Sequence, residues 1–243
     1  MSVWAVLAAA GRGERLGSER PKAFARLGDR PLLAESLERL ESSDWIDAIV
    51  IAAPPEWEEP SILVAEEIAA TKVSSAVTGG ETRSESVRLA LVDVPGDAAA
   101  VLVHDAARPL VTAELIDELI AKLASRPDAD GVIAAAALAD TVKRSRQPRP
   151  AKGNLARGDP TVAQTVSRDH LWAAQTPQVF RTAALREALE TDPQRVASAT
   201  DDAMLVENAG GTVLIHPAPA DNLKVTTELD LRVAELLLAE RGS

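Results

Sequence analysis

The sequence predicts an α/β fold: a Rossmann-like, mostly parallel sheet with helices on both faces and an extended β-arm. Strand-like apolar runs alternate with helical patterns along the 243-residue chain, and this alternation indicates βαβ units with right-handed crossovers. The apolar runs do not alternate with polar residues, which is typical of strands that helices cover on both sides. One polar segment, residues 140–168, is too long for a simple connection and is predicted to form the arm. We therefore expect a single domain over residues 1–243, with the arm inserted into it.

The individual elements follow from the same patterns. Six apolar runs are predicted strands: Val3–Ala9, Ala48–Ala53, Lys72–Val77, Ala100–His104, Gly131–Ala137 and Gly211–Ile215. Seven stretches with helical spacing are predicted helices: Pro31–Glu41, Trp57–Ala70, Thr82–Val92, Thr112–Ala124, Thr182–Thr191, Asp201–Ala209 and Thr226–Glu240. The stretch "AAQTPQVF", Ala173 to Phe180, has a polar centre within an apolar frame. It is either an edge strand interrupted by proline or a place where Thr176 and the neighbouring amides hold a ligand.

Composition excludes several classes of function. The net charge of −11 repels nucleic acids and anionic membranes, so we expect neither as a partner. Aromatic residues make up 2% of the chain, too few for the stacking platforms that bind single-stranded nucleic acids. The chain contains no cysteine, and it therefore has no disulfide framework and no thiolate nucleophile. No apolar run reaches about 18 residues, and we expect a cytoplasmic protein.

A glycine-rich loop follows the first predicted strand, in the stretch "LAAAGRGERLGSERPK" from Leu7 to Lys22. Leu16 occupies the third glycine position of a dinucleotide fingerprint, and no G-K-[ST] motif is present. Small residues let backbone amides approach phosphate oxygens, and the cations of this loop would neutralise spread negative charge: Arg12, Arg15, Arg20 and Lys22. The loop is therefore predicted to bind a triphosphate, the alternative being a glycine-rich turn with solvated basic residues.

Three other short stretches, each beside a predicted strand or helix, are candidate ligand contacts. His104–Asp105 end a buried strand, where ligands of open α/β sheets bind; Asp105 is predicted to be a Mg²⁺ ligand, or else a helix cap. Gly79–Gly80 form either a turn that contacts a nucleobase edge or an ordinary strand-to-helix turn. Before the closing helix, Asp221 and Lys224 are a second carboxylate for the metal and a third cation, or else a capping turn.

The predicted arm is basic within an acidic chain. It carries seven cationic residues: Lys143, Arg144, Arg146, Arg149, Lys152, Arg157 and Arg168. Either it is a solvated loop, or it consists of two short strands around a basic turn that reach a ligand or a second subunit.

Several motifs, taken in order along the chain, resemble one known family. They are "AAAGRGERLGSERPK", "GGETRSESV", "HDAARP", "DTVK", "QTPQ", "TDDA" and "DNLKVT". In this order they resemble the 2-C-methyl-D-erythritol 4-phosphate cytidylyltransferases of the non-mevalonate isoprenoid pathway. The resemblance covers essentially the whole chain. It implies a nucleotidyltransferase that joins CTP and a sugar-alcohol phosphate, releases pyrophosphate, uses Mg²⁺ and forms a homodimer through the 140–168 arm.

The resemblance also implies roles for individual residues. Three cations would bind the triphosphate and stabilise the transition state as catalytic residues: Arg15, Lys22 and Lys224. Five residues would hold the nucleotide: Ala9, Ala10, Gly11, Gly80 and Ser86. Five would lie on the side of the second substrate: Asp105, Arg108, Thr141, Arg168 and Thr176. Asp105 and Asp221 would be the metal ligands. Two departures from the family pattern are an apparent insertion, Pro148–Asp159, and Glu81 where some relatives have aspartate.

Three alternatives remain open from the sequence. A ribitol 5-phosphate cytidylyltransferase would share the fold and the chemistry, although "HDAAR" and "DTVK" favour methylerythritol. An NAD-dependent dehydrogenase is disfavoured by Leu16 and by the cluster of cations. A non-catalytic nucleotide-sensing protein is disfavoured because a degenerate site would lose some of its cations.

Overall fold

The computed structural model describes residues 1–11, 13, 20–146 and 160–241. Its strands are β1 Val3–Ala8, β2 Arg26–Leu27, β3 Arg30–Pro31, β4 Ala48–Ala53, β5 Val73–Thr78, β6 Ala100–Asp105, β7 Gly131–Ala137, β8 Val142–Arg146, β9 Thr161–Val166, β10 Trp172–Arg181 and β11 Val213–Pro217. Its α-helices are α1 Leu32–Glu41, α2 Glu58–Glu67, α3 Arg83–Ala90, α4 Ala113–Ser125, α5 Thr182–Leu189, α6 Pro193–Ser198, α7 Asp202–Asn208 and α8 Glu228–Arg241.

The central sheet has seven strands in the order β11-β7-β10-β6-β1-β4-β5. All six predicted strands belong to it, and its neighbours pair in parallel except where β10 runs antiparallel to both β6 and β7. The prediction of a mostly parallel Rossmann-like sheet is confirmed. The carboxyl ends of β1, β4, β5 and β6 consequently meet at one edge of the sheet.

Helices cover both faces of this sheet, as predicted. Alternate residues of a strand point to opposite faces, and in β1 Ala5 and Leu7 join a cluster that contains α1 and α4 residues. Val6, between them, joins the cluster on the other face with residues of α3, α5 and α7. Since both faces are buried, every position in these strands favours an apolar residue, which explains the unbroken apolar runs.

The proline-containing stretch forms β10, and the interpretation of it as an edge strand is wrong. β10 lies inside the sheet, between β6 and β7. Its register with β7 shifts between Ala174 and Gln178, and Pro177 lies within that irregularity. A proline cannot donate to a regular ladder but is accepted at a bulge, so the bulge lets a proline occupy a central strand. The short helix α6 was also not predicted, although its Asp192-Pro193 start is a typical helix N-terminus.

The arm begins as predicted, with two strands. β8 and β9 pair antiparallel in a separate two-stranded sheet, from Val142 opposite Val166 to Arg146 opposite Thr161. The apparent insertion Pro148–Asp159, with Arg149, Lys152 and Arg157, lies outside the described residues. In the part of the chain that the structure describes, no helix is both long and apolar enough to cross a membrane.

Candidate active site

A cleft of about 520 Å³ opens at the carboxyl ends of β1 and β6. It brings together eight of the predicted site residues: Ala9, Ala10, Gly11, Lys22, Gly80, Ser86, Asp105 and Lys224. A second cavity, of about 680 Å³, lies among α3, α5 and α6 and contains none of the predicted site residues. We assign the chemistry to the smaller cleft because it combines small-residue loops with lysine side chains.

Backbone conformation explains how Lys22 comes to line the cleft. Gly13 has a φ of +68°, and a Cβ at this position would lie 2.6 Å from the Cβ of Lys22. Only glycine therefore allows the loop to pass so close to Lys22. Lys22 begins a short 3-10 helix, Lys22–Phe24, whose buried Phe24 anchors it in the core. Of the other predicted cations of the loop, Arg12 and Arg15 lie outside the described residues, and Arg20 is exposed.

The turn after β5 packs against the first loop. A Cβ on Gly79 would lie 2.3 Å from the Cβ of Ala10, so the two loops touch at a position that only glycine can occupy. The hydroxyl of Ser86 accepts from the Gly80 amide at 3.0 Å and donates to the carbonyl of Thr82 at 2.8 Å. The Thr82 hydroxyl in turn caps α3 by accepting from the Glu85 amide. Ser86 thus closes the turn as well as lining the cleft.

A network of charged side chains forms the floor of the cleft. The Asp105 carboxylate accepts from Arg83 Nε at 2.7 Å and from Lys224 Nζ at 2.6 Å. Arg83 Nη1 also donates to the carboxylate of Asp202 at 2.5 Å. Burial alone would raise the pKa of Asp105, but Arg83 and Lys224 lower it well below its ordinary value. Asp105 is therefore ionised at neutral pH.

Two residues of this network were not predicted. Arg83 and Asp202 both lie within the motifs on which the resemblance rests, "GGETRSESV" and "TDDA", but neither was given a role. Each is the first residue of a helix, at a position where sequence predicts a solvated charge near a cap. Only the meeting of α3 and α7 in the fold shows that they form a buried pair.

His104 is held neutral by its surroundings. The Asp105 amide donates to Thr176 Oγ1 at 3.0 Å, and Thr176 Oγ1 lies 3.2 Å from His104 Nδ1. His104 Nε2 lies 3.2 Å from the carbonyl of Arg108, which can only accept. This arrangement requires a proton on Nε2 and leaves Nδ1 to accept from the threonine hydroxyl. Burial lowers the pKa of His104 to about 4, so this histidine supports the cleft as a neutral hydrogen-bonding group.

Two predicted substrate contacts, Arg108 and Thr176, are buried behind the cleft. Arg108 donates to the carbonyl of Asn222 at 2.7 Å. The Asn222 amide group donates to Gln175 Oε1 and to the carbonyl of Thr176. The amide of Val225, the residue after Lys224, also donates to the Ala107 carbonyl. Together these bonds hold the segment that carries Lys224. Direct contact of Arg108 and Thr176 with a substrate stays a prediction.

Three further predicted residues also lie away from the cleft lining. Thr141 and Arg168 are exposed at the base of the arm, where Arg168 Nη1 donates to the carbonyl of Ala139. Asp221 forms an ion pair with Arg241 of α8 at 2.9 Å. Its predicted role as a metal ligand therefore draws no support from its position.

The donor set fits a magnesium ion that arrives with phosphates. Within the described ranges, no group of three or more histidine, aspartate or glutamate residues could hold a metal ion by itself. Mg²⁺ in phosphoryl-transfer sites commonly binds one or two carboxylates together with the phosphates of the substrate. Asp105 offers such a carboxylate in the cleft, and its Lys224 partner is 40% exposed, at the cleft surface.

Comparison with known proteins identifies the family of this chain. The family described as 2-C-methyl-D-erythritol 4-phosphate cytidylyltransferase matches residues 3–240. A protein of that name from Streptomyces coelicolor is 43% identical over 239 residues, covering 98% of this chain and 85% of that protein. A bifunctional enzyme from Rhodospirillum rubrum is 40% identical over 243 residues, which are 58% of its own length.

Solved structures agree with this match. The crystal structure of 4-diphosphocytidyl-2C-methyl-D-erythritol synthase from Anaerococcus prevotii superposes with a TM-score of 0.80 at 27% identity, covering 98% of this chain and 96% of that one. A 2-C-methyl-D-erythritol 4-phosphate cytidylyltransferase from Thermus thermophilus gives a TM-score of 0.74 at 29% identity, covering 98% and 100% of the two chains. The fold, the cleft and these matches together show that the chain belongs to the 2-C-methyl-D-erythritol 4-phosphate cytidylyltransferases, nucleotidyltransferases of the non-mevalonate isoprenoid pathway.

Proposed function

We propose that the cleft transfers the cytidylyl group of CTP to 2-C-methyl-D-erythritol 4-phosphate with the help of Mg²⁺. An oxygen of the sugar-alcohol phosphate attacks the α-phosphorus of CTP. The bond from that phosphorus to the oxygen bridging to the β-phosphate breaks, and pyrophosphate leaves. The observation that carries the proposal is the placement of Lys22 and Lys224 in one cleft with the small-residue loop after β1.

Charge neutralisation is the main requirement of this reaction. The nucleophile is a phosphate that is already anionic at neutral pH, so the protein needs no general base to create it. Two anions must instead approach each other, and preorganised cations lower the energy of that encounter. Lys22 and Lys224 supply two such charges from the described residues, and we propose Arg15 as the third. A neutral, buried His104 is consistent with chemistry that uses no histidine base.

The nucleotide would lie between the two loops that pack at Ala10 and Gly79. We propose that Ala9, Ala10 and Gly11 contact it from one side, and Gly80 and Ser86 from the other. Small side chains leave backbone amides and carbonyls accessible to a base edge and to phosphate oxygens. On this basis the cleft selects a nucleoside triphosphate through backbone contacts and through the lysine charges.

Magnesium would enter with the triphosphate, and Asp105 would hold it. The ion supplies charge stabilisation to the phosphate oxygens and helps to orient them. Arg83 holds Asp105 Oδ1 and Lys224 holds Oδ2, and a carboxylate oxygen that accepts one hydrogen bond still has a second lone pair to offer to the ion. Removal of divalent cations by EDTA is expected to abolish turnover, and added Mg²⁺ is expected to restore it.

The arm would complete a homodimer. Lys143, Arg144 and Arg146 are exposed on β8, and Val162 on β9 is 63% exposed. A basic, partly apolar arm on a chain with a net charge of −11 is complementary to the body of a second copy. We propose that Thr141 and Arg168, at the base of the arm, reach the sugar-alcohol phosphate held by the partner. We also propose that residues 1–243 form one nucleotidyltransferase domain with the 140–168 arm inserted. Because its substrate would be CTP, we propose that the protein acts in the cytoplasm.

Pyrophosphate release tests the function directly. Purified protein with CTP and Mg²⁺ is expected to release pyrophosphate with 2-C-methyl-D-erythritol 4-phosphate and not with ribitol 5-phosphate. Release with ribitol 5-phosphate alone would keep the mechanism and change the substrate. Silence with both phosphates would contradict the proposal. Sedimentation of the active protein as a monomer would contradict the homodimer without affecting the reaction.

A further inference from the structure

We propose that Arg83 and Asp202 are positioning residues that fix Lys224 in the cleft through Asp105. The inference rests on the proposed function, because the place of Lys224 matters only if the cleft binds phosphates. It assigns a purpose to two side chains without a predicted role: Arg83, which lines the cleft and bonds to Asp105, and Asp202, which is buried behind Arg83.

The four side chains form a continuous chain of charge-assisted hydrogen bonds. Asp202 Oδ2 accepts from Arg83 Nη1 at 2.5 Å, and Asp105 Oδ1 accepts from Arg83 Nε at 2.7 Å. Asp105 Oδ2 accepts from Lys224 Nζ at 2.6 Å. Charges therefore alternate along the chain, and each carboxylate is oriented by the guanidinium next to it. The ammonium of Lys224 is the end that reaches the cleft.

Burying Asp202, the inner end of this network of side chains, costs free energy. The Asp202 side chain is 0% exposed, and among the described residues its Oδ1 has no hydrogen-bond partner. Burial raises the pKa of Asp202, and Arg83 opposes that change. A buried ion pair generally adds little to stability compared with apolar packing of the same volume. We infer that this pair serves orientation, because apolar packing would stabilise the same volume at least as well as two buried charges.

Arginine is the side chain that this geometry requires. One planar guanidinium donates hydrogen bonds to two carboxylates from different elements, Asp105 at the end of β6 and Asp202 at the start of α7. A lysine at position 83 would keep the charge but would lose the fork that fixes both directions at once. The conservative replacement Arg83→Lys therefore separates charge from orientation.

The network of these four side chains also connects the two halves of the cleft. Arg83 is the first residue of α3, and Ser86 in the same helix closes the Gly80 turn that we assign to the nucleotide. Lys224 belongs to the segment on the opposite side, which leads into α8. A shift of Arg83 would thus move the lysine relative to the nucleotide, and small displacements of a charge-stabilising group reduce turnover by up to about 100-fold.

Steady-state kinetics of four variants test the inference. The variants are Arg83→Lys, Asp202→Asn, the double variant and Arg186→Lys. Arg186 is the matched control, because its guanidinium is also partly buried but, among the described residues, bonds only to the carbonyls of Leu91 and Val94. For each protein, kcat and KM for CTP are measured by pyrophosphate release, and Tm is measured alongside.

We expect kcat to fall about 10- to 100-fold in Arg83→Lys and Asp202→Asn, with a smaller change in KM. The double variant is expected to be no slower than the slower single variant, because both act through the same chain. Arg186→Lys is expected to lower Tm and leave kcat unchanged. Wild-type kcat in folded Arg83→Lys and Asp202→Asn would overturn the inference, as would independent, multiplicative losses in the double variant. If both single variants are unfolded at the assay temperature, the network is structural and the inference is wrong. An inactive wild-type protein would instead refute the proposed function.

Discussion

Protonation of His104 is expected to make the fold sensitive to mild acid. The side chain is fully buried between Thr176 and the carbonyl of Arg108. Burial lowers its pKa from 6.5 to about 4; Asp105 opposes this change, and the charges of Arg108 and Arg83 reinforce it. Because the unfolded state binds the proton more readily than the folded state, stability is lost as the pH falls from about 6.5 towards 4.

The magnitude follows from the difference between the two pKa values. With folded and unfolded values of about 4 and 6.5, the loss is about 1 kcal/mol at pH 5.5 and about 2–3 kcal/mol at pH 4.5, relative to pH 7.5. Asp105 adds little to the loss above pH 4.5, because its ordinary pKa of 3.8, which applies to the unfolded chain, lies below this window. Between pH 7.5 and 5.5 the loss is therefore assigned to His104. Nearer pH 4.5, the lowered pKa values of Glu41, Glu58 and Glu114 add to the loss, and the raised pKa values of Glu35 and Asp202 oppose it.

Urea unfolding at pH 7.5, 6.5, 5.5 and 4.5 measures this effect. We expect the free energy of unfolding to fall by the stated amounts in the wild-type protein and in His216→Gln, whose histidine lies on the surface beside Glu118. The variant His104→Gln cannot gain the proton, so its stability is expected to be lower at pH 7.5 but much flatter with pH. An equal slope in His104→Gln and in the wild-type protein would refute the reasoning.

Three substitutions, two in the cleft and one behind it, test other parts of the site. Lys22→Ala is expected to fold normally and to lose about 100-fold or more in kcat, as for removal of a charge-stabilising group; unchanged kcat would remove Lys22 from the site. Gly13→Ala is expected to lower both Tm and activity, because a Cβ would meet that of Lys22 at 2.6 Å and φ is +68°; a Tm equal to that of the wild-type protein would contradict this. Thr176→Val leaves the buried Asp105 amide and His104 Nδ1 without their partner, and we expect a loss of about 1–3 kcal/mol in urea unfolding. Val111→Thr, at a fully buried apolar position, is the comparison for adding rather than removing a hydroxyl in the core.

The strands show how far local patterns reach. An unbroken apolar run such as that of β4 has few alternatives to a buried strand, and the prediction agreed with the structure over Ala48–Ala53. β10 was misjudged because proline normally excludes a central strand. The bulge that accommodates Pro177 depends on how β6 and β7 lie on either side, and nothing in the local sequence reveals these neighbours.

The sequence by itself determined the fold class, the order of the functional motifs along the chain and most of the residues that line the cleft. Glycines and other small residues after the predicted strands supply part of that information, because parallel strands bring their carboxyl ends to one edge. The motifs that carry the family resemblance supply the roles of the individual residues. Tertiary structure alone decided what the charged residues do to one another. Arg83, Asp105, Asp202 and Lys224 come from four separate parts of the chain, and a buried charge acquires its protonation state and its direction only from the partner that the fold places beside it.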